Sequence, residues 1–454
     1  MVLAEQTVPG RPDSRTRRPL VRGARRLRGA GRGPRGRGVG WAAVTAVGTA
    51  PARSTRSRLV PVYAGVAAVF TGQQLLTPLL PALARELGLA PFAVGVVVST
   101  AAVLGVVLSP VWGRYCQRWG LKRMMVGSVL GSGLALLAFA LAAGAGLAGV
   151  LGATTCLVLL VATRGVVFGV TCSAVPVVAQ SYVSAMTQGE RDRVRGIAGL
   201  GACVGIGVVA GPSLGGLLAG IDLRVPLYVP AVLVLAAGLL LAAVLRPERL
   251  TEQAREPARL SPFDRRVWPY LLFAFVTFLT LTVSQVTLGF LLQDRLGLAP
   301  EAAAARTGLL LMAMGGGLVL MQLVVVPRLG WRPRRLIWTG TLAGLLAFTA
   351  LVLLDDLPSM FVALTVSGAG IGLASSGFMS APTLLVPAEA QGTVAGYLAS
   401  ADGVAFVLGP LAATALYEVD PLAPYVAGGV LLALLLVFAV AHGREGATAT
   451  GSGD

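Results

Sequence analysis

Two charged side chains lie deep inside long apolar stretches of this 454-residue chain, and they are the residues best placed to do chemistry. Asp402 sits nine residues into the run 393–417. At ~1.5 Å per helical residue that is about 13 Å below its start. A carboxylate at such depth is costly when charged, which suits it to taking up and giving back a proton. The alternative is a fixed role, as a hydrogen bond between helices or a gate contact. Arg164 lies inside the run 150–180. A buried guanidinium needs an anion or several carbonyls. It could bias the protonation of a nearby acid, hold an anionic group of a ligand, or order its own backbone.

Other chemistries lack the residues they need. The single lysine, Lys122, is followed by Arg123, so no phosphate loop of the GK[ST] type can form. A GxGxxG match at Gly31–Gly36 sits in an arginine-rich tail with no strand before it. The one histidine, His442, ends the last apolar run, and Cys116, Cys156, Cys172 and Cys203 lack CxxC spacing. No cofactor, metal site or enzymatic nucleophile–base pair is expected.

The elements that position Asp402 and Arg164 follow from composition. The chain is 55% hydrophobic and only 13% charged, with a mean hydropathy of +0.78. A soluble domain carries about 25% charged residues, so the solvent here is lipid. Twelve apolar runs are long enough to cross a bilayer as helices: 59–82, 91–112, 124–143, 150–180, 196–218, 226–245, 268–292, 303–325, 334–354, 358–385, 393–417 and 423–442. Kinks are expected in the fourth and tenth.

The net charge of +17 is distributed by side. The loops after even-numbered runs hold eighteen Lys/Arg, those after odd-numbered runs only Arg85, Arg224, Arg295 and Arg306. Basic residues mark the cytoplasmic face, so both termini are expected there. The excess of arginine over lysine, 36 to 1, reads as codon bias of a GC-rich bacterial genome. Residues 1–58 hold fourteen arginines without periodicity and read as a disordered tail that could meet anionic lipid or nucleic acid. A misassigned translation start is an equal reading, and nucleic acid is not an expected partner.

The pentapeptide LGLAP occurs at Leu87–Pro91 and again at Leu296–Pro300. Gly211-Pro212 is answered 198 positions later by Gly409-Pro410, and Pro226 by Pro424 at the same offset. Runs 2 and 8 both end in a glycine and a basic cluster, RWGLKRMM and RLGWRPRRL. The chain therefore reads as two copies of a six-helix unit, 59–245 and 268–442. A polar linker, 246–267, joins them, and a short tail, 443–454, follows.

Two motifs carry a resemblance. After run 2 the chain reads Gly113-RYCQ-Arg118-W-Gly120-L-Lys122-Arg123, taken here as a loop whose glycines let the backbone reverse. Run 5 holds Gly207-VVA-Gly211-Pro212-SL-Gly215-Gly216. Its glycines at i, i+4 and i+8 make a smooth helix face, and Pro212 permits a bend. The sequence resembles the major facilitator superfamily, and run 1 (TGQQLLTPLLPALARELG) resembles its twelve-helix drug:proton antiporter branch. Coverage is roughly residues 60–442.

The resemblance implies an all-α membrane fold of two pseudo-symmetric six-helix halves. It also implies a monomer in the bacterial cytoplasmic membrane and the export of drugs, antibiotics or secondary metabolites against protons. Gln117 stands where the family usually has an acid that locks helix 11, and Gly169 follows Arg164 by five residues where the family has four. A cavity lined by helices 1, 4, 7 and 10 would draw on Gln73, Gln74, Thr171, Ser173, Gln285, Ser375, Ser376 and Phe378. So sparse a polar set suits an amphipathic or hydrophobic solute. Export of one defined natural product such as a siderophore, uptake of a solute, and a non-transporting membrane receptor are the other readings.

Overall fold

The computed structural model describes residues 52–187, 190–245 and 260–448. The tail before residue 52, most of the 246–267 linker and the residues after 448 lie outside the described residues, as do the side chains of Gln117 and His442. Twelve membrane helices follow in order: α1 (Ala52–Leu75, resuming after a break as Leu79–Glu86), α2 (Pro91–Trp119), α3 (Leu121–Leu147), α4 (Ala153–Met186), α5 (Glu190–Ala219), α6 (Val225–Val244), α7 (Trp268–Leu296), α8 (Pro300–Leu329), α9 (Pro333–Leu353), α10 (Leu357–Leu385), α11 (Ala388–Val419) and α12 (Ala423–Thr448). Ten of them are each long and apolar enough to span; the bent pair in α1 makes an eleventh, and α12 has a shorter apolar stretch, Ala423–Ala439. Helices are forced by the solvent, because lipid offers backbone N–H and C=O groups no partner.

The repeated LGLAP now has a physical reading. Its glycines, Gly88 and Gly297, take φ of +65° and +59° just past the ends of α1 and α7. That left-handed turn ends a helix without the penalty a side chain would bring. The prolines, Pro91 and Pro300, then open α2 and α8 at a first-turn position, where the missing N–H costs nothing. The pentapeptide is one stop-and-restart signal used once in each half.

Three expectations are corrected. The stretch after run 2 is not a loop: α2 runs through Gly113 to Trp119, and Gly120 (φ +80°) alone separates it from α3. Gly113 is therefore helical and does not reverse the chain, and nothing lies within 4 Å of where its side chain would begin. The first run, expected to be continuous, bends by 45° between Leu75 and Leu79, beside Pro78. Of the two kinks expected, the fourth run has a π-helical turn at Val161–Val167, whereas α10 is one unbroken helix. A second π-helical turn, Met321–Val325, falls in α8.

Small residues bring the helices together, as they must where lipid removes the hydrophobic drive between helices. A methyl group at Gly207 would lie 2.8 Å from Cβ of Phe70, and one at Gly211 would overlap Gln74 and the Thr71 carbonyl. At Gly215 it would strike the Leu75 carbonyl beside the break in α1. The i, i+4, i+8 face of α5 thus packs on α1 within one half. Gly216 does something else. It meets Cα of Gly308 and the Ala305 carbonyl of α8, so it carries the crossing between halves. The second half mirrors this: Gly409 of α11 seats against Thr282 of α7, while α11 crosses to α2 where Gly95 meets Pro410 and Thr414. Gly216→Val is expected to force these backbones apart and abolish transport, with Gly216→Ala milder. Flux per correctly inserted molecule checks this, and normal flux in the valine variant would show the crossing to be dispensable.

Candidate functional site

Arg164 sits inside the π-helical turn of α4, where the Phe168 amide bonds to the Thr163 carbonyl, five residues back. Gly169 lies two residues beyond that turn. Gly169 still faces α2, where a side chain would lie 2.8 Å from Cα of Ala101, and Gly165 faces Thr100 and Val97 of the same helix. Such turns concentrate at functional sites, because they re-aim one side chain without ending the helix. Arg164 is 4% exposed, and its guanidinium carbon stands 4.2 Å over the Phe168 ring. That cation–π contact offsets part of the cost of burial. Nε of Arg164 has no hydrogen-bond partner, and neither has Oδ1 of Asp402.

Both residues line one cavity of about 550 Å³. Its wall is built from α1 (Phe70, Gln73), α2 (Val98 to Pro110), α4 (Arg164 to Pro176) and α11 (Ala399 to Phe406). Arg164 and Asp402 form no ion pair with each other: the described salt bridges involve other residues. A half-buried acid and a buried base thus share one cavity without being paired, where either could meet a proton or a charged group of a solute. Most of the remaining wall is apolar.

The other sequence candidates divide by the face they occupy. Gln73 and Ser173 line the cavity. Ser173 accepts a hydrogen bond from Nε1 of Trp112 at 2.8 Å, and Cys172 lies 3.5 Å from Oε1 of Gln73. The rest lie outside that wall. Gln74 is buried against Gly211 of α5. Thr171 meets Ser132 of α3 at 3.1 Å. Ser375 accepts from Gln322 of α8 at 2.9 Å, and Ser376 donates to the Gly372 carbonyl at 2.8 Å. Phe378 is wholly buried, edge-on to Phe278, and Gln285 is buried in α7. Arg118 and Arg123 are exposed near Gly120, while Lys122 is partly buried there.

Sequence reasoning missed the closure of the LGLAP end. Arg85 of α1 pairs with Asp294 of α7 at 2.5 Å, and the other oxygen of Asp294 accepts from the Tyr417 hydroxyl of α11 at 2.6 Å. Glu418 accepts from the Phe92 amide at 2.9 Å. That amide is an orphan donor at the N-terminus of α2, where a carboxylate is favoured. The Arg85–Asp294 and Phe92–Glu418 contacts join one half to the other, while the Asp294–Tyr417 bond ties α7 to α11 within the C-terminal half. Arg295 anchors this end further, binding the Leu351, Val352 and Leu354 carbonyls at the end of α9 and pairing with Asp355. Asp356 caps α10 through Ser359, whose amide and hydroxyl hold its carboxyl below the usual range. The signal was present as charges beside LGLAP in each half, Arg85 and Asp294, but the contacts that close this end span 123 to 326 positions.

Two six-helix halves, crossed through glycines and enclosing a mid-membrane cavity with an acid and a base in its wall, define a multi-pass membrane transporter. The family model of the Major Facilitator Superfamily matches residues 62–410, and the chain belongs to that superfamily. It is 30% identical over 365 residues to the tetracycline resistance protein, class G, of Vibrio anguillarum, covering 76% of this chain and 87% of that one. It is 24% identical over 383 residues to multidrug resistance protein 1 of Bacillus subtilis (strain 168), covering 82% and 92%. Among solved structures, a bacterial homolog of the human lysosomal transporter Spinster, inward-facing and occupied, shares the fold with a TM-score of 0.69. That match has 16% identity and covers 87% of this chain and 98% of the other.

Proposed function

We propose that this chain exports amphipathic or hydrophobic drugs or secondary metabolites across the bacterial cytoplasmic membrane in exchange for protons, working as a monomer. Its basic end and both termini lie in the cytoplasm. The observation that carries this reading is the presence of both Asp402 and Arg164, unpaired, in the wall of one largely apolar cavity. The naming of the relatives for tetracycline and multidrug resistance supports the choice of solute.

In this state the halves touch at the LGLAP end, and in this reading the solute enters the cavity from the basic, cytoplasmic end. Binding against Phe70, Phe168 and Phe406 replaces water on apolar surface. Arg164 stands in the same cavity wall as Asp402, and in this cycle the proton of Asp402 leaves on the cytoplasmic side as the solute binds. When the staple at the LGLAP end opens, the cavity faces outward, the solute leaves, and Asp402 takes a proton for the return. One proton crossing 100 mV supplies about 2.3 kcal/mol, enough to hold a solute gradient of roughly 50-fold.

The test is purified protein in liposomes with an imposed proton gradient and an ionisable fluorescent drug. Uptake into vesicles acidified inside, with drug-dependent proton release, is expected. Drug movement that ignores an uncoupler would sink the coupling, and no movement of any amphipathic compound would sink the solute class.

A further inference from the structure

The two halves end their first helices on the same pentapeptide but with reversed charges ahead of it: Arg85-Glu86 in one, Asp294-Arg295 in the other. Arg85 and Asp294 are 209 positions apart, the offset of the two LGLAP copies, so their ion pair joins one and the same position of the two repeats. A position that meets its own copy would set like charges together if both copies kept one residue, and opposite charges remove that repulsion. The following position then differs in what it can do. Arg295 binds the Leu351, Val352 and Leu354 carbonyls at the end of α9. A helix C-terminus attracts a cation and repels a carboxylate, so Glu86 cannot bolt α1 to α3 in the same way. Glu86 is exposed and makes no ion pair among the described residues.

The end of α7 is tied to its own half twice more, by Asp294 to Tyr417 of α11 and by Thr287 to Tyr425 of α12 at 3.0 Å. The matching segment of α1, Leu79–Glu86, has no such tie. Among the described residues its one polar side-chain bond crosses to the other half, from Arg85 to Asp294. Arg85 also lies 5.7 Å from the centre of the Phe290 ring, and Pro81 packs on Gly289, where a side chain would come within 2.8 Å. Toward its own half the segment is held by apolar contacts, and these are incomplete. A void of about 20 Å³ separates Leu80 and Leu83 from Phe139, Leu157 and Leu160 of α3 and α4. It is the size of about one water and forfeits packing on its walls. At its other end the segment starts from the 45° break beside Pro78, whose missing N–H leaves the helix ladder open there.

We propose that Leu79–Glu86 is a hinged lid latched by the Arg85–Asp294 pair. The LGLAP end opens by a swing of this segment about the Leu75–Leu79 break, while the end of α7 stays fixed to its own half. The proposal rests on the transporter class of the chain and not on Asp402 or the solute, so a failure of either reading leaves the other standing.

The experiment is double electron–electron resonance on the full chain in lipid nanodiscs, with Cys116, Cys156, Cys172 and Cys203 replaced by alanine. Spin labels at Glu86→Cys and Val150→Cys report the lid against the end of α3, and labels at Leu298→Cys and Leu353→Cys report the end of α7 against α9. The lid has eight residues, about 12 Å, so a swing of ~25° moves its tip by roughly 5 Å. Adding Arg85→Gln should raise a displaced population of the first pair about tenfold and leave the second pair unmoved. Distances that stay fixed in the first pair, or that shift equally in both, would overturn the lid. A cross-link checks it without Arg85→Gln. Leu87 closes the segment, and its side chain lies 2.6 Å from where one at Gly146 of α3 would begin, so Leu87→Cys with Gly146→Cys can be joined by oxidation. Flux in liposomes should then be lost and return on reduction. Unchanged flux in the cross-linked protein would also overturn the lid, because halves that rock as rigid bodies need no movement within one half.

Discussion

Asp402→Asn is expected to abolish uphill export while leaving the protein inserted and able to equilibrate its solute. The substitution keeps size and hydrogen-bonding capacity, so α11 should still pack on α2 and α7 through Gly95 and Gly409. What disappears is the only acid among the described residues that line the cavity of α1, α2, α4 and α11. A coupled carrier holds a gradient of about 50-fold at 100 mV for each proton exchanged. An uncoupled one holds none. The steady-state ratio of drug across the vesicle membrane should therefore fall from tens to near one, while downhill exchange of labelled drug persists. Asp402→Glu, which retains a titratable group one methylene longer, should keep part of the gradient. An asparagine variant that sustains the full gradient would make Asp402 a packing residue and move the coupling role to another group.

The second large effect is expected at the opposite end of the cycle. Asp294 is the hub of the LGLAP-end staple, taking Arg85 from one half and Tyr417 from α11. Its side chain is 30% and that of Arg85 38% exposed, so screening by water discounts the pair relative to a buried one. Losing a charge-assisted bond of this kind is worth about 1.4 kcal/mol, or tenfold in the balance between closed and open. Asp294→Asn should raise the outward-open population by that factor. Ala93 lies just behind the staple and is 7% exposed, so Ala93→Cys reports the opening. With Cys116, Cys156, Cys172 and Cys203 replaced by alanine, its labelling by a membrane-impermeant maleimide should quicken about tenfold when Asp294→Asn is added. Arg85→Gln should act similarly alone and add little in combination, since both remove one interaction. An unchanged labelling rate would show that Phe92–Glu418 and the glycine crossings hold this end closed without the ion pair.

Much of the architecture was legible in the residues taken one after another. Run length and lipid together dictate helices, and each of the twelve apolar runs corresponds to one described helix. The duplicated LGLAP and Gly-Pro landmarks reported the twofold internal order. Arg164 and Asp402 were legible for the same reason, since a charge at membrane depth is conspicuous in one dimension. These features are local: backbone satisfaction, proline at a helix start and glycine past its end depend on neighbours a few positions away.

Which way a side chain faces is not local, and there the tertiary structure decided. Successive helical residues point about 100° apart, so adjacent polar residues have different neighbours. Gln73 lines the cavity while Gln74 packs on Gly211, and Ser173 lines it while Thr171 meets α3. The break in α1, the π-helical turn ahead of Gly169, and Gly308 as the partner of Gly216 arise where two distant helices come into contact. The staple at Asp294 joins three helices that adjoin only once both halves are assembled. Composition and spacing by themselves determined twelve helices, their duplication and the two charges within them; the rotation of each helix against its neighbours decided which residues share the cavity and which close its far end.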